Sequence, residues 1–282
     1  MSAKPEGAPY LPFEGGRFRL AMGLMPLAPG GWIEIAEPRN VTALLTPLAP
    51  SDALVQAGPE TAGTLTVVWM PPGANTPATI ERDVDDWMRG VGAERREANV
   101  RADVRTLRVA WGETRAVIYA SQGDLRFALD AIVRFSLTQR EALALEATMK
   151  STWASIEADA ALTHALTPRD RKRQRHVNEM TEVATRMRMG WLRVSRSLEQ
   201  LDPALADPSR RLFAELASAR SLYDHVEMLE DSIQFAFEHY EISNTRLIDM
   251  KLVRQERIDS LVGYGLVIML LIIQIGLMLR GM

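Results

Sequence analysis

The sequence predicts an α+β protein: an antiparallel sheet with flanking helices, followed by an α-helical hairpin and stalk and one C-terminal transmembrane helix. Three observations lead there. From Tyr10 to Phe135 the apolar residues recur mostly with a period of two, beyond Phe135 the period becomes helical, and residues 261–279 (LVGYGLVIMLLIIQIGLML) carry no charge. The chain has 282 residues, 47% apolar and 24% charged, which is enough core material to fold and excludes a disordered or collagen-like chain.

Residues 1–9 read as a flexible tail and 10–137 as an α+β head. Strands are expected at 17–24, 32–36 and 64–70, then at 104–111, 114–120 and 125–135 as an antiparallel meander. The last rests on Leu125, Phe127, Leu129, Ala131, Val133 and Phe135, six apolar residues at strict spacing two. Gly112-Glu113 and Gln122-Gly123-Asp124 supply the turns. One helix is expected at 79–90, where Ile80, Val84 and Trp87 share a face. Residues 44–63, rich in Pro, Ala and Gly, read as a long loop.

Residues 138–260 read as a helical bundle and stalk. Thr138-Gln-Arg-Glu141 has the capping-box pattern that satisfies free amides at a helix start. Thr167-Pro168 opens the next helix, with the apolar stripe Val177, Met180, Met187, Trp191, Val194, Leu198 and Leu201. The prolines of 202–209 mark a turn. A final helix is expected from Pro208, capped by Asp207, unbroken to Val262 and about 80 Å long. Its stripe runs through Leu212, Leu216, Leu222, Val226, Leu229, Ile233, Phe237 and Tyr240, then blurs where Lys251 and Arg254 enter it. A helix of that length forms a stalk that pairs with another copy or stays partly solvated.

The 19 residues of 261–279 make a helix of about 28 Å, close to the ~30 Å hydrocarbon core of a bilayer. Arg246, Lys251, Arg254 and Arg257 precede the segment against Arg280 after it, which places the N-terminal mass in the cytoplasm. No apolar signal-peptide region opens the sequence. The expectation is a tail-anchored, single-pass protein of the inner (cytoplasmic) membrane. Gly263, Val267, Leu270 and Gln274 share one face of this helix, and the glutamine amide favours self-association there.

Chemistry is sparse. Cysteine is absent, which excludes disulfides, thiolate metal sites and a cysteine nucleophile. Lys plus Arg is 33 against 36 Asp plus Glu, a net charge of −3 that argues against a nucleic-acid partner. His164, His176, His225 and His239 lack metal-ligand spacing and read as surface or stalk residues. The cation run 169–175 reads as a solvated helix start, Gly15-Gly16 and Gly30-Gly31 as turns, and the six tryptophans as core. No catalytic signature, cofactor site or metal site is expected.

The element order over 10–160 resembles the DcrB and Eag-type chaperone domain of the Mog1/PsbP-like fold. The likeness rests on Phe13-Glu-Gly-Gly-Arg-Phe18, Gly31-Trp32, Leu65-Thr-Val-Val-Trp69, the helix 79–90, the meander 107–135 and Trp153-Ala-Ser-Ile156. Eag-type members cradle apolar transmembrane segments of type VI secretion effectors. The resemblance therefore implies a sheet face that binds apolar helices, assigned here to Leu107, Val109, Trp111, Phe127, Leu129 and Val133. Ser243-Asn-Thr-Arg-Leu-Ile-Asp-Met-Lys251 is similar to the stalk end of CorA-type magnesium channels, although the Gly-Met-Asn signature and a second span are missing. Residues 17–32 (RFRLAMGLMPLAPGGW) are similar to the start of haem-dependent oxidative N-demethylases, and the likeness ends there.

The expected function is that of a membrane-anchored, non-enzymatic adaptor or chaperone-like protein. Its partners are the lipid bilayer, a protein bound by the head, and further copies of itself. The alternatives are an oligomeric transport component and an enzyme with a site in the head.

Overall fold

The computed structural model describes residues 17–23, 32–35, 41–48, 64–70, 87–88, 99–164, 166–167, 169–200 and 205–280. The fold is α+β and mostly helical. The chain forms two compact units, one of Met1–Glu146 with Gly190–Leu229, the other of Ala147–Met189 with Glu230–Met282.

The first unit holds a seven-stranded sheet of β1 Arg17–Gly23, β2 Trp32–Ile35, β3 Val41–Leu48, β4 Thr64–Met70, β5 Val100–Val104, β6 Leu107–Trp111 and β7 Arg115–Tyr119. Their order is β2-β3-β1-β4-β7-β6-β5. The expected antiparallel sheet is in fact mixed, because β4 and β7 pair in parallel at its centre. The meander exists but sits one strand earlier than the sequence suggests. The run 104–111 is two strands joined by a two-residue turn, with Val104 opposite Leu107 and Arg105 at φ 53°. The loop expected over 44–63 begins with a strand instead, β3, which lies between β1 and β2.

Both faces of the central strands are covered. On one side Leu65, Val67, Val100, Leu107, Val109, Trp111 and Ile118 join a large apolar core. On the other, Val68, Met70, Ala110 and Val117 pack with Trp87 and Met88. These last two residues are helical; the rest of the helix expected at 79–90 lies outside the described residues, as do the tail 1–9 and both glycine pairs. The Arg115 guanidinium donates to the Trp87 carbonyl and lies 5.3 Å from the centre of its ring.

The clearest expected strand is not a strand. Residues 125–135 open a 35-residue helix, α1 Leu125–Asp159. The period of two arises because the polar stripe of this stretch, Arg126, Asp130 and Arg134, recurs every four residues, which an alternation also fits. Besides the alternating set, Ala128 and Ile132 are each fully buried, and they fall three or four residues from Leu125 and Leu129, as a helix requires. The helix starts at the supposed turn. The Ser121 hydroxyl accepts from the Asp124 amide at 3.2 Å and donates to its carboxylate at 2.8 Å, a serine N-cap. Thr138 is therefore mid-helix rather than a cap. Its hydroxyl is spent on the Arg134 carbonyl at 3.0 Å, within a buried stretch. The Trp111 indole N–H donates to the Ser136 hydroxyl at 2.7 Å and ties β6 to α1.

Short 3₁₀ turns at Ala160–Thr163 and Asp170–Arg173 lead into α2 Gln174–Glu199. The Asp170 carboxylate accepts from both the amide and the hydroxyl of Thr167, each at 2.7 Å, and these bonds hold its pKa below the ordinary carboxylate value. The expected continuous final helix is two helices. Helix α3 Asp207–Ala219 follows an Ala206 N-cap that makes no side-chain bond, so Asp207 is not the cap. Ser221 then breaks the path at φ 52°. Helix α4 Leu222–Arg280 runs 59 residues, about 88 Å. Helix α3 lies against β5 and adds Leu212, Phe213 and Leu216 to the core of the first unit.

Candidate functional site

Of the six residues assigned to a partner-binding face, five are buried. Leu107, Val109 and Trp111 are each 2% exposed, Leu129 and Val133 lie on α1 rather than on a strand, and both are buried. Phe127 packs against the same core from a half-buried position. The face exists, but the protein's own helix fills it: Phe135 sits edge-to-face on Trp111 at 4.8 Å between ring centres.

The most concentrated polar constellation lies in the second unit. Asp159, the last residue of α1, has a fully buried side chain. Its Oδ1 accepts from the Arg173 guanidinium, and its Oδ2 accepts from His176 Nε2 at 3.0 Å and from the Tyr240 hydroxyl at 3.3 Å. One carboxylate thus ties together the end of α1, the start of α2 and the middle of α4. Burial, followed by the charge and hydrogen bond of Asp159, pushes the Tyr240 phenol far above its ordinary pKa, so it remains a neutral donor. A buried charge is tolerable only when paired and hydrogen-bonded, and here each partner is committed to that task. The arrangement acts as a clamp.

Sequence reasoning missed this clamp, although a signal was present. Asp159 falls on the same helical face as the buried Thr152 and Ile156, so a carboxylate occupies an apolar stripe and demands partners. Of the histidines read as surface or stalk residues, His164 is exposed, and the other three are half-buried or buried. His176 belongs to the clamp, His225 lies 3.3 Å from Glu146, and His239 is 7% exposed with Nε2 buried and unbonded. Burial lowers the His239 pKa against the opposing pull of Asp159. The unfolded chain therefore binds its proton more readily than the folded one. The stability His239 allows is intact above the unfolded value of about 6.5 and is lost as pH falls below it toward the folded value. Thermal melts of His239→Gln are expected to fall less steeply than the parent's from pH 7 to pH 5; parallel curves would contradict this.

Among the described residues, no three His, Asp or Glu side chains gather as metal ligands. In the cation run, Arg169 and Lys172 are exposed, Arg173 serves Asp159 and Arg175 pairs with Glu179 at 3.0 Å. Of the tryptophans expected in the core, Trp153 is instead 42% exposed and tilts against Phe235, itself 52% exposed.

Among the described residues the last buried side chain of α4 is Leu247. From Lys251 through Leu271 every residue is exposed, including Leu261, Val262, Tyr264, Leu266 and Leu270. Gly263 has open space around it and Val267 is 58% exposed. The Gln274 side chain lies outside the described residues. Among the described residues no helix is long and apolar enough to cross a membrane. The side chains of Ile272 and of 274–280, which belong to or follow the uncharged segment, are not among them.

No family model matches the chain, and no curated protein matches it. Among solved structures the chain is similar to the structure of the full-length CmaX protein, at 11% sequence identity over 90% of this chain and 81% of that one. The TM-score of 0.30 defines neither the fold nor the function of this chain.

Proposed function

We propose that the chain is a membrane-anchored, non-enzymatic adaptor. Residues 261–279 enter the bilayer of the cytoplasmic membrane, α4 carries the folded mass on the cytoplasmic side, and the α+β unit presents its outer surface to a protein partner. The observation that carries the reading is the exposed apolar length of α4. Ten large apolar side chains between Leu261 and Ile273 are 47–70% exposed, and among the described residues no other element covers them. Burying one such side chain is worth roughly 1.5–3 kcal/mol, and soluble monomers rarely leave an apolar patch of this size in water. A bilayer offers the matching solvent for a helix with no polar face. Arg246, Lys251, Arg254 and Arg257 lie on the flank that the positive-inside rule assigns to the cytoplasm. The partner meets an outer surface, since the sheet face named from the sequence is filled by α1.

The absence of cysteine gives a clean test. Single cysteines at Leu266 and Leu270 are expected to resist a membrane-impermeant maleimide in intact cells and in opened membranes. A cysteine at Glu241 is expected to react only once the membrane is opened. Ready labelling at 266 and 270 in membranes without detergent would contradict the anchor, and labelling at 241 in intact cells would reverse the orientation.

A further inference from the structure

The exposed stretch of α4 before the uncharged segment is segregated by charge. At 3.6 residues per turn, Ile242, Val253, Ser260 and Tyr264 fall on one side of the helix, their separations of 11, 7 and 4 residues being close to three, two and one turns. All four are exposed. Asp249 and Glu256 lie along one edge of that stripe, and Arg246 and Arg257 along the other. A shallow groove on this face is lined by Val253, Glu256, Arg257, Ser260, Leu261 and Tyr264.

Between Lys251 and Asp259 the charges are not arranged to serve their own helix. Lys251, Arg254 and Arg257 follow one another at steps of three, as do Glu256 and Asp259, so like charges are neighbours. Such spacing destabilises an isolated helix, where opposite charges three or four apart would support it. Among the described residues, none of these five has an ion-pair partner. An anionic lipid surface would suit the basic edge, but Glu256 and Asp259 sit at the same height and would be repelled.

We infer that α4 pairs in parallel with α4 of a second copy of this chain through the Ile242–Val253–Ser260–Tyr264 stripe. In a parallel two-fold pair, the acidic edge of one helix faces the basic edge of the other. Glu256 then meets Arg257 of the second copy at nearly the same height, and Asp249 meets its Arg246. Opposite charges at matching heights attract across such a pair. The small Ser260 side chain at the centre lets the helices approach closely. The parallel alignment rests on the membrane-anchor reading, because both copies enter the bilayer in one direction.

The test uses the full chain with Ser260→Cys as reporter and Gln255→Cys, on the far side of the helix, as control. Mild oxidation of whole lysate is expected to give a disulfide-linked dimer with the first and not the second, and crosslinking is read wherever the chain partitions. Adding Glu256→Arg sets positive charge on both edges at this height, and adding Arg257→Glu sets negative charge on both. Each variant alone is expected to lower the crosslinked fraction roughly five- to tenfold, as two exposed pairs per dimer turn repulsive. Co-expression of the two restores it as a mixed dimer. No crosslink at 260, crosslinking equal at 255 and 260, or charge variants without effect and without rescue would overturn the pairing. Membrane fractionation of the same lysates reports the anchor separately, so failure of one reading is distinguishable from failure of the other.

Discussion

Phe135→Ala is expected to cost the α+β unit about 4 kcal/mol, the range for removing a fully buried aromatic ring that leaves a cavity. The ring is fully buried and lies edge-to-face against Trp111 at 4.8 Å and against Phe213 at 6.3 Å, so one side chain joins β6, α1 and α3. Denaturant titration followed by tryptophan emission reads the loss, because Trp111 is 2% exposed and its indole is bonded to Ser136 one residue further on. The strand expected over 125–135 would bury Phe135 as well, but it would leave Ile132 on the opposite, polar face, whereas the helix buries Ile132 completely. Tolerance of a charge at Ile132 would contradict the helix.

Asp159→Ala carries the second large effect, in the other unit. Three donors lose their acceptor, and Tyr240, fully buried, is left with an unsatisfied hydroxyl. Arg173 and His176 are partly exposed, with side chains 36% and 44% accessible, so water repays part of their loss. The expected cost is about 2–4 kcal/mol, between a lost buried hydrogen bond and a broken buried ion pair. Tyr240→Phe is expected to cost about 1–2 kcal/mol. The double variant should cost less than the sum, since both changes act on one network. Strict additivity in thermal or denaturant melts would show that the carboxylate does not bind the helices together.

What the sequence disclosed follows from where each segment is buried. β1, β2, β4 and β7 were legible to within a residue or so, because apolar and polar types alternate along them or a short apolar run ends at a turn. β3 was not, because Pro47 sits in it and proline speaks against an interior strand. Among the described residues the β2–β3 pairing ends at Leu44, and Pro47 lies beyond it. The break between β5 and β6 gave no signal, since Arg105 occupies the left-handed position where Gly or Asn would have announced a turn. Helix 125–135 was misread because its polar stripe, Arg126, Asp130 and Arg134, recurs every four residues, a spacing that an alternation of two also fits. The stripe of α4 through Leu222, Val226, Leu229, Ile233 and Tyr240 was legible for the opposite reason, as one face is buried and the other wet. The clamp stayed hidden because its members lie up to 81 residues apart, and only packing brings Tyr240 to Asp159.

Alkaline carbonate extraction of membranes from cells making the full chain tests most directly whether residues 261–279 hold the protein in a bilayer. The chain is expected to stay in the pellet after the carbonate wash and to leave it only with detergent. Release into the carbonate supernatant would contradict the anchor.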